Sequence, residues 1–189
     1  NDIIKAMRDL GISERVYQDA YAQVTNWKMF TPEAFANRLN RLTGVSAESI
    51  RAALESVAEV SGHHVYPDTA AGFETLKNAG HELYILSWGD TAWQLKKIKH
   101  SGLMPFCKEV LSVSQLKADY LKTWAPAGTK VVLIDDKPAE LKAVHDSGQG
   151  IALIRMRRAG AKYSDQDTPD GMAEATSMPD VLSIIETMG

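Results

Sequence analysis

The chain has 189 residues, 44% of them hydrophobic, and a formal net charge of -3. That length suits one domain with an insertion or a small second lobe, and the near-neutral balance leaves no electrostatic footprint for nucleic acid. No apolar run approaches a membrane span, the N-terminus is a polar amphipathic helix start rather than a secretory signal, and the single cysteine, Cys107, excludes an internal disulfide or a cysteine-built metal site.

In chain order, a first helix sets Ile3, Ile4, Met7 and Leu10 on one face and stops at Gly11. Ser13 caps a second helix through Val16, Tyr17, Ala20 and Val24. Thr31, Pro32 and Glu33 open a third, with Phe35 and Leu39 on one face. Ser46 opens a fourth, with Ile50, Leu54 and Val57 in register. Helices with no strand between them predict a small all-α lobe over residues 1–62, in which Tyr17, Tyr21 and Trp27 pack. The rhythm then changes. His63 and His64 read as hinge residues, since neither has a helical or cysteine partner at metal-ligand spacing. Helix is predicted over 68–78, strand over 83–87, helix over 90–100, strand over 109–113 and helix over 115–124. Strand then follows over 131–135, helix over 138–147, strand over 151–155, a polar loop over 157–177 and a closing helix over 179–188. Strands that alternate with helices and are apolar throughout predict an α/β fold, a Rossmann-like parallel sheet with helices on both faces, over 63–189. Arg155, Arg157 and Arg158 read as a solvated basic face.

The acid-ended strand carries the chemistry. An apolar run over 131–134 ends in adjacent carboxylates, Asp135 and Asp136, and Glu140 follows at helical spacing. Clustered acids at a strand end call for a cation, and a hard divalent ion bound by oxygen is the usual answer. Asp before Pro138 is also a good start for a helix. Ligands of open parallel sheets bind where the strands' carboxyl ends meet. There the strand over 83–86 delivers Ser87, Trp88, Gly89 and Asp90, and Lys117 follows the strand over 110–113. A hydroxyl, an ammonium and paired carboxylates suit a phosphoryl group bound beside a metal ion. Asp90 reads as the cap of its helix rather than as a catalytic acid.

From about residue 66 to 155 the chain resembles the core of the haloacid dehalogenase (HAD) superfamily, whose members are mostly phosphatases. The run from Tyr66-Pro-Asp to Ile85-Leu-Ser-Trp-Gly-Asp resembles the approach to that family's second motif, and Ile134-Asp-Asp-Lys-Pro-Ala-Glu resembles its fourth. The resemblance implies Ser87 as the phosphate-binding hydroxyl, with Trp88 and Gly89 beside the substrate. It implies Lys117 as the third-motif lysine, with Lys122 a neighbouring candidate. Asp136 is implied as a direct Mg2+ ligand, with Asp135 and Glu140 supporting it, and the helical lobe is implied as a substrate-selecting cap. The implied activity is a cytoplasmic, Mg2+-dependent phosphohydrolase acting on a small phosphorylated metabolite, with neither nucleic acid nor membrane as partner.

The family's first motif, Asp-x-Asp on an N-terminal strand, does not occur upstream of the lobe; Asp165-Gln-Asp167 has the spacing but lies in the polar loop. Its first Asp would be the nucleophile that forms an aspartyl phosphate. Because the chain begins at Asn1 directly on a helix pattern, the expectation is a further N-terminal segment whose strand lies between those over 83–87 and 131–135. The alternative is a catalytically inactive relative that binds a phosphorylated ligand or a protein.

Overall fold

Capping chemistry sets the helices of the N-terminal third. The computed structural model describes residues 2–25, 29–125 and 128–188. Helix α1 (Asp2–Asp9) ends before Gly11, whose φ of 78° is a left-handed conformation that side chains resist. Helix α2 (Glu14–Thr25) begins where the Ser13 hydroxyl accepts from Val16 N. Helix α3 (Pro32–Thr43) is capped by Thr31 Oγ1, which accepts from Ala34 N at 3.1 Å, and Pro32 sits in the first turn, where its missing N–H costs nothing. Helix α4 (Ala47–Glu59) is capped by Ser46 in the same way. Then come α5 (Thr69–Asn78), β1 (Tyr84–Trp88), α6 (Thr91–His100), β2 (Glu109–Val113), α7 (Lys117–Trp124), β3 (Val132–Asp135), α8 (Pro138–Asp146), β4 (Ala152–Met156), β5 (Ala173–Ala175) and α9 (Met178–Met188). Among the described residues, no helix is long and apolar enough to cross a membrane.

Strand β5 corrects the loop expected over 157–177. It pairs with β4 through Ile154↔Ala173, Arg155↔Glu174 and Met156↔Ala175. Ala-Glu-Ala carries no β-branched or aromatic signal, so the partner strand, and not local preference, makes it extended. Among the described residues all strand pairing is parallel, as expected, but the strands form two separate ladders, β1–β2 and β3–β4–β5.

By contacts the chain divides into two compact units: Asn1–Val65 with Tyr84–Ser114, and Tyr66–Leu83 with Gln115–Gly189. In the first, the apolar faces of α1–α4 meet around Phe35, which is fully buried. Tyr17, Tyr21 and Phe30 surround it at ring-centroid distances of 5.5, 6.3 and 5.4 Å. Tyr17 and Tyr21 are packing residues, as expected; Trp27 lies outside the described residues. Helix α6 contributes Trp93 to the same cluster, and Lys96 on α6 reaches both Glu55 and Glu59 of α4 at 3.3 Å.

In the second unit, α5 and α9 cover one face of the β3–β4–β5 ladder through Leu76, Met178, Val181 and Ile154. Helix α8 packs against β3 and β4. The two covering helices touch so closely that a Cβ at Gly72 would come 2.7 Å from Met178 Cβ.

Asp68 ties this unit together. Arg158 donates to its Oδ1 and Met178 N to its Oδ2, both at 2.8 Å, and the Arg158 guanidinium lies 4.4 Å from the centre of the Tyr66 ring. One carboxylate thus joins the start of α5, the segment after β4 and the start of α9. The solvated face expected for Arg155, Arg157 and Arg158 is corrected. Arg155 is buried, Arg157 Nε donates to Ser164 O at 2.7 Å, and Arg158 pairs with Asp68. The chain after β4 folds back onto all three, which a local count of charges does not register.

The hydrogen bond from Arg158 is the largest influence on the Asp68 carboxyl. With help from Met178 N and against burial, it holds the carboxyl below its ordinary value of 3.8. The folded state therefore binds this proton more weakly than the unfolded state, so the contribution is complete above the ordinary value and is lost as pH falls through the lowered one. The stability gap between the parent and Asp68→Asn is expected to hold steady from about pH 7 to 5 and to close below about pH 4. A gap unchanged at pH 3 in denaturant titrations would refute this role.

Candidate active site

Lys117 and the acid pair meet at the carboxyl end of β3. Lys117 is the first residue of α7, and its Nζ lies 2.5 Å from Asp135 Oδ2. The two side chains are only 15% and 6% exposed, so the contact is shielded from water and carries more weight than a surface pair. Asp135 Oδ1 accepts from Lys137 N at 2.8 Å, an Asx turn that feeds Pro138 into α8. The helix-start reading of Asp135 therefore holds in part: its carboxylate shapes the turn and also binds Lys117, while the cap position itself is Lys137. Lys122, the other candidate lysine, pairs with Asp119 on the exposed side of α7.

Asp136 is exposed. Loss of surrounding water, then the neighbouring Asp135 charge, raise its carboxyl above the ordinary value, against the opposing charges of Arg155 and Lys117. Glu140 is held by Lys137, whose Nζ lies 3.0 Å from Glu140 Oε1. That bond is also the main cause that raises the Lys137 ammonium. Sequence reasoning missed two members of this site, Lys137 and Arg155. Arg155 lies opposite Asp135 in the β3–β4 register. The only signal for it is the register itself, which places a strand-end arginine beside a strand-end aspartate.

The expected metal trio, Asp136, Asp135 and Glu140, is not gathered as a ready-made cage. Among the described residues, no group of three or more His, Cys, Asp or Glu side chains is arranged to hold a metal ion. Lys117 holds Asp135 and Lys137 holds Glu140, which leaves Asp136 as the uncommitted carboxylate. This donor set suits Mg2+, which uses one or two carboxylates and keeps waters and substrate oxygens for its other positions. It does not suit Ca2+, which takes six to eight ligands.

The other expected site residues lie in the first unit. Ser87 sits in β1, opposite Ser112 of β2. Trp88 ends the strand 39% exposed, and its Nε1 donates to Ser114 O at 3.2 Å. Gly89 has a φ of 149°, a conformation that side chains resist, and the Gln94 side chain packs against it. Its N–H donates to Val113 O, and Gln94 Nε2 donates to Trp88 O. Asp90 accepts from Trp93 N at 2.9 Å and caps α6, as its reading as a cap requires. This network fixes the backbone on both sides of the indole and leaves the ring at the surface.

No protein-family pattern matches the sequence, and no curated protein sequence does either. Solved structures do match. A haloacid dehalogenase-like hydrolase from Burkholderia xenovorans aligns with a TM-score of 0.77 at 19% identity, over 98% of this chain and 87% of that one. An L-2-haloacid dehalogenase aligns with a TM-score of 0.68 at 15% identity, over 97% and 91%. The HAD hydrolase YfnB from Bacillus subtilis, solved with magnesium bound, aligns with a TM-score of 0.65 at 17% identity, over 97% and 90%. With its helical lobe, its parallel strands and an acid-ended strand paired to a lysine, the chain has the fold of the haloacid dehalogenase-like hydrolases.

Proposed function

We propose that this protein is a cytoplasmic, Mg2+-dependent phosphohydrolase of the HAD type, acting on a small phosphorylated metabolite and not on nucleic acid or a membrane. The observation that carries the reading is one uncommitted carboxylate, Asp136, next to a buried Lys117–Asp135 pair at the carboxyl end of a parallel strand. In this reading Asp136 holds the ion directly and Asp135 supports it, while Glu140 acts through Lys137. Bound there, Mg2+ supplies positive charge that polarises a phosphoryl oxygen. Lys117 places an ammonium beside the same oxygens, and the family resemblance gives Ser87, Trp88 and Gly89 to the binding of the phosphorylated substrate. The reading also calls for a nucleophilic carboxylate that attacks phosphorus, a role that none of these residues takes.

The complete protein is expected to hydrolyse p-nitrophenyl phosphate with Mg2+ and to lose that activity on chelation. Asp136→Asn is expected to lower kcat/KM at least about 100-fold. Turnover that survives both changes would refute the metal role. A complete protein that turns over no phosphate ester would select the alternative, an inactive module that binds a phosphorylated ligand or a protein. One observation favours a second catalytic reading, hydrolysis without a metal ion: Lys117, Lys137 and Arg155 already match the charges of Asp135, Asp136 and Glu140. Activity unaffected by chelation would select it.

A further inference from the structure

Pairing off the charges around β3 leaves two over. Lys117 binds Asp135 and Lys137 binds Glu140, which leaves the carboxylate of Asp136 and the guanidinium of Arg155. Arg155 is 1% exposed. It is the register partner of Asp135, and register partners in parallel strands project from the same side of the ladder. Its donors go to neutral oxygens, Met156 O at 3.1 Å and Tyr163 O at 2.8 Å, and among the described residues its Nε has no partner. A cation taken out of water and bonded only to carbonyl dipoles is several kcal/mol worse off than one facing an anion. The compensating negative charge is the acid pair, whose first member, Asp135, is the register partner of Arg155.

We propose that Arg155 is a buried positioning residue whose charge, set beside Asp135, offsets that of the acid pair and thereby holds down the pair's affinity for a divalent ion. This rests on the Mg2+ reading above. The two carbonyl bonds fix where the guanidinium sits, and the one to Tyr163 O ties the segment after β4 to it. The ion then meets a site whose fixed charges already cancel, so it binds weakly until an anionic substrate adds negative charge.

The test is Mn2+ binding to the complete protein, read from the loss of the free-ion EPR signal, with Mg2+ as competitor. Arg155→Gln, which removes the charge and keeps a donor, is expected to bind Mn2+ on the order of tenfold more tightly than the parent. Arg155→Lys, which keeps the charge, is expected to stay close to the parent. A residue with a purely structural role would loosen the site when replaced, so tighter binding separates the two roles. If the Gln variant does not fold, Arg155→Met fills similar volume without charge and gives the same readout. Equal or weaker binding by the uncharged variant, with binding still abolished by Asp136→Asn, overturns the assignment and leaves the metal site standing. Absence of Mn2+ binding in the parent and in every variant overturns both.

Discussion

Lys117→Met is expected to remove about 3–5 kcal/mol of stability from the second unit. The change deletes one partner of an ion pair whose side chains are almost shielded from solvent, with Nζ and Oδ2 at 2.5 Å. The Asp135 carboxylate cannot swing out to water without also giving up its bond from Lys137 N and opening the turn into α8. It is therefore left buried and uncompensated, which is the costly case. Methionine has a similar length and is tolerated beside Ala118 and Leu121, so lost packing contributes little. Urea titrations of three proteins check the argument: the parent, Lys117→Met, and the double variant that adds Asp135→Leu. The double variant removes both charges and is expected to recover much of the loss, because an apolar pair carries no desolvation debt. A single-variant loss below about 1 kcal/mol would place this pair with ordinary surface pairs and would weaken its claim to a protected catalytic role.

The fold was legible wherever local chemistry decides structure. Thr31, Ser46 and Asp90 announce helix starts because a short polar side chain can satisfy the free N–H groups of the first turn, and each does so here. The apolar strands were legible because a parallel sheet covered by helices needs unbroken apolar runs. What escaped notice depends on distant chain. Ala173–Ala175 is a strand only because β4 lies beside it. Asp68 was read as part of a helix start, yet its carboxylate caps nothing in α5 and reaches Arg158 and Met178 N instead, 90 and 110 residues away. The same limit applies to the site. Spacing left Lys117 and Lys122 open, since both lie on α7, and only the packing of α7 against α8, which follows β3, brings Lys117 to the acid. Arg155 looked like one of three solvated arginines because charge patterning is read along the chain, whereas its burial follows from cross-strand register.

Phe35→Ala is expected to cost the first unit about 3–5 kcal/mol, the range for deleting a fully buried phenyl ring. Phe35 has no exposed surface and sits between Tyr17 and Phe30, with Tyr21 at its edge. Those rings meet it edge-on or tilted, arrangements that add to the area it buries. Alanine would leave a cavity that cannot close easily, because Tyr17 is anchored on α2 and Leu39 on α3. Trp93 belongs to the same buried cluster, so its fluorescence reports on this core directly. The second unit has its own cluster around Ile154 and Val181, with no residue in common with the first. The Phe35 cavity is therefore expected to lower the denaturant midpoint seen by Trp93 more than the midpoint seen by Trp124, which lies in the second unit. Equal shifts at both tryptophans would mean that the two units unfold as one cooperative body. A loss below about 1 kcal/mol at Trp93 would mean that this core repacks around the missing ring.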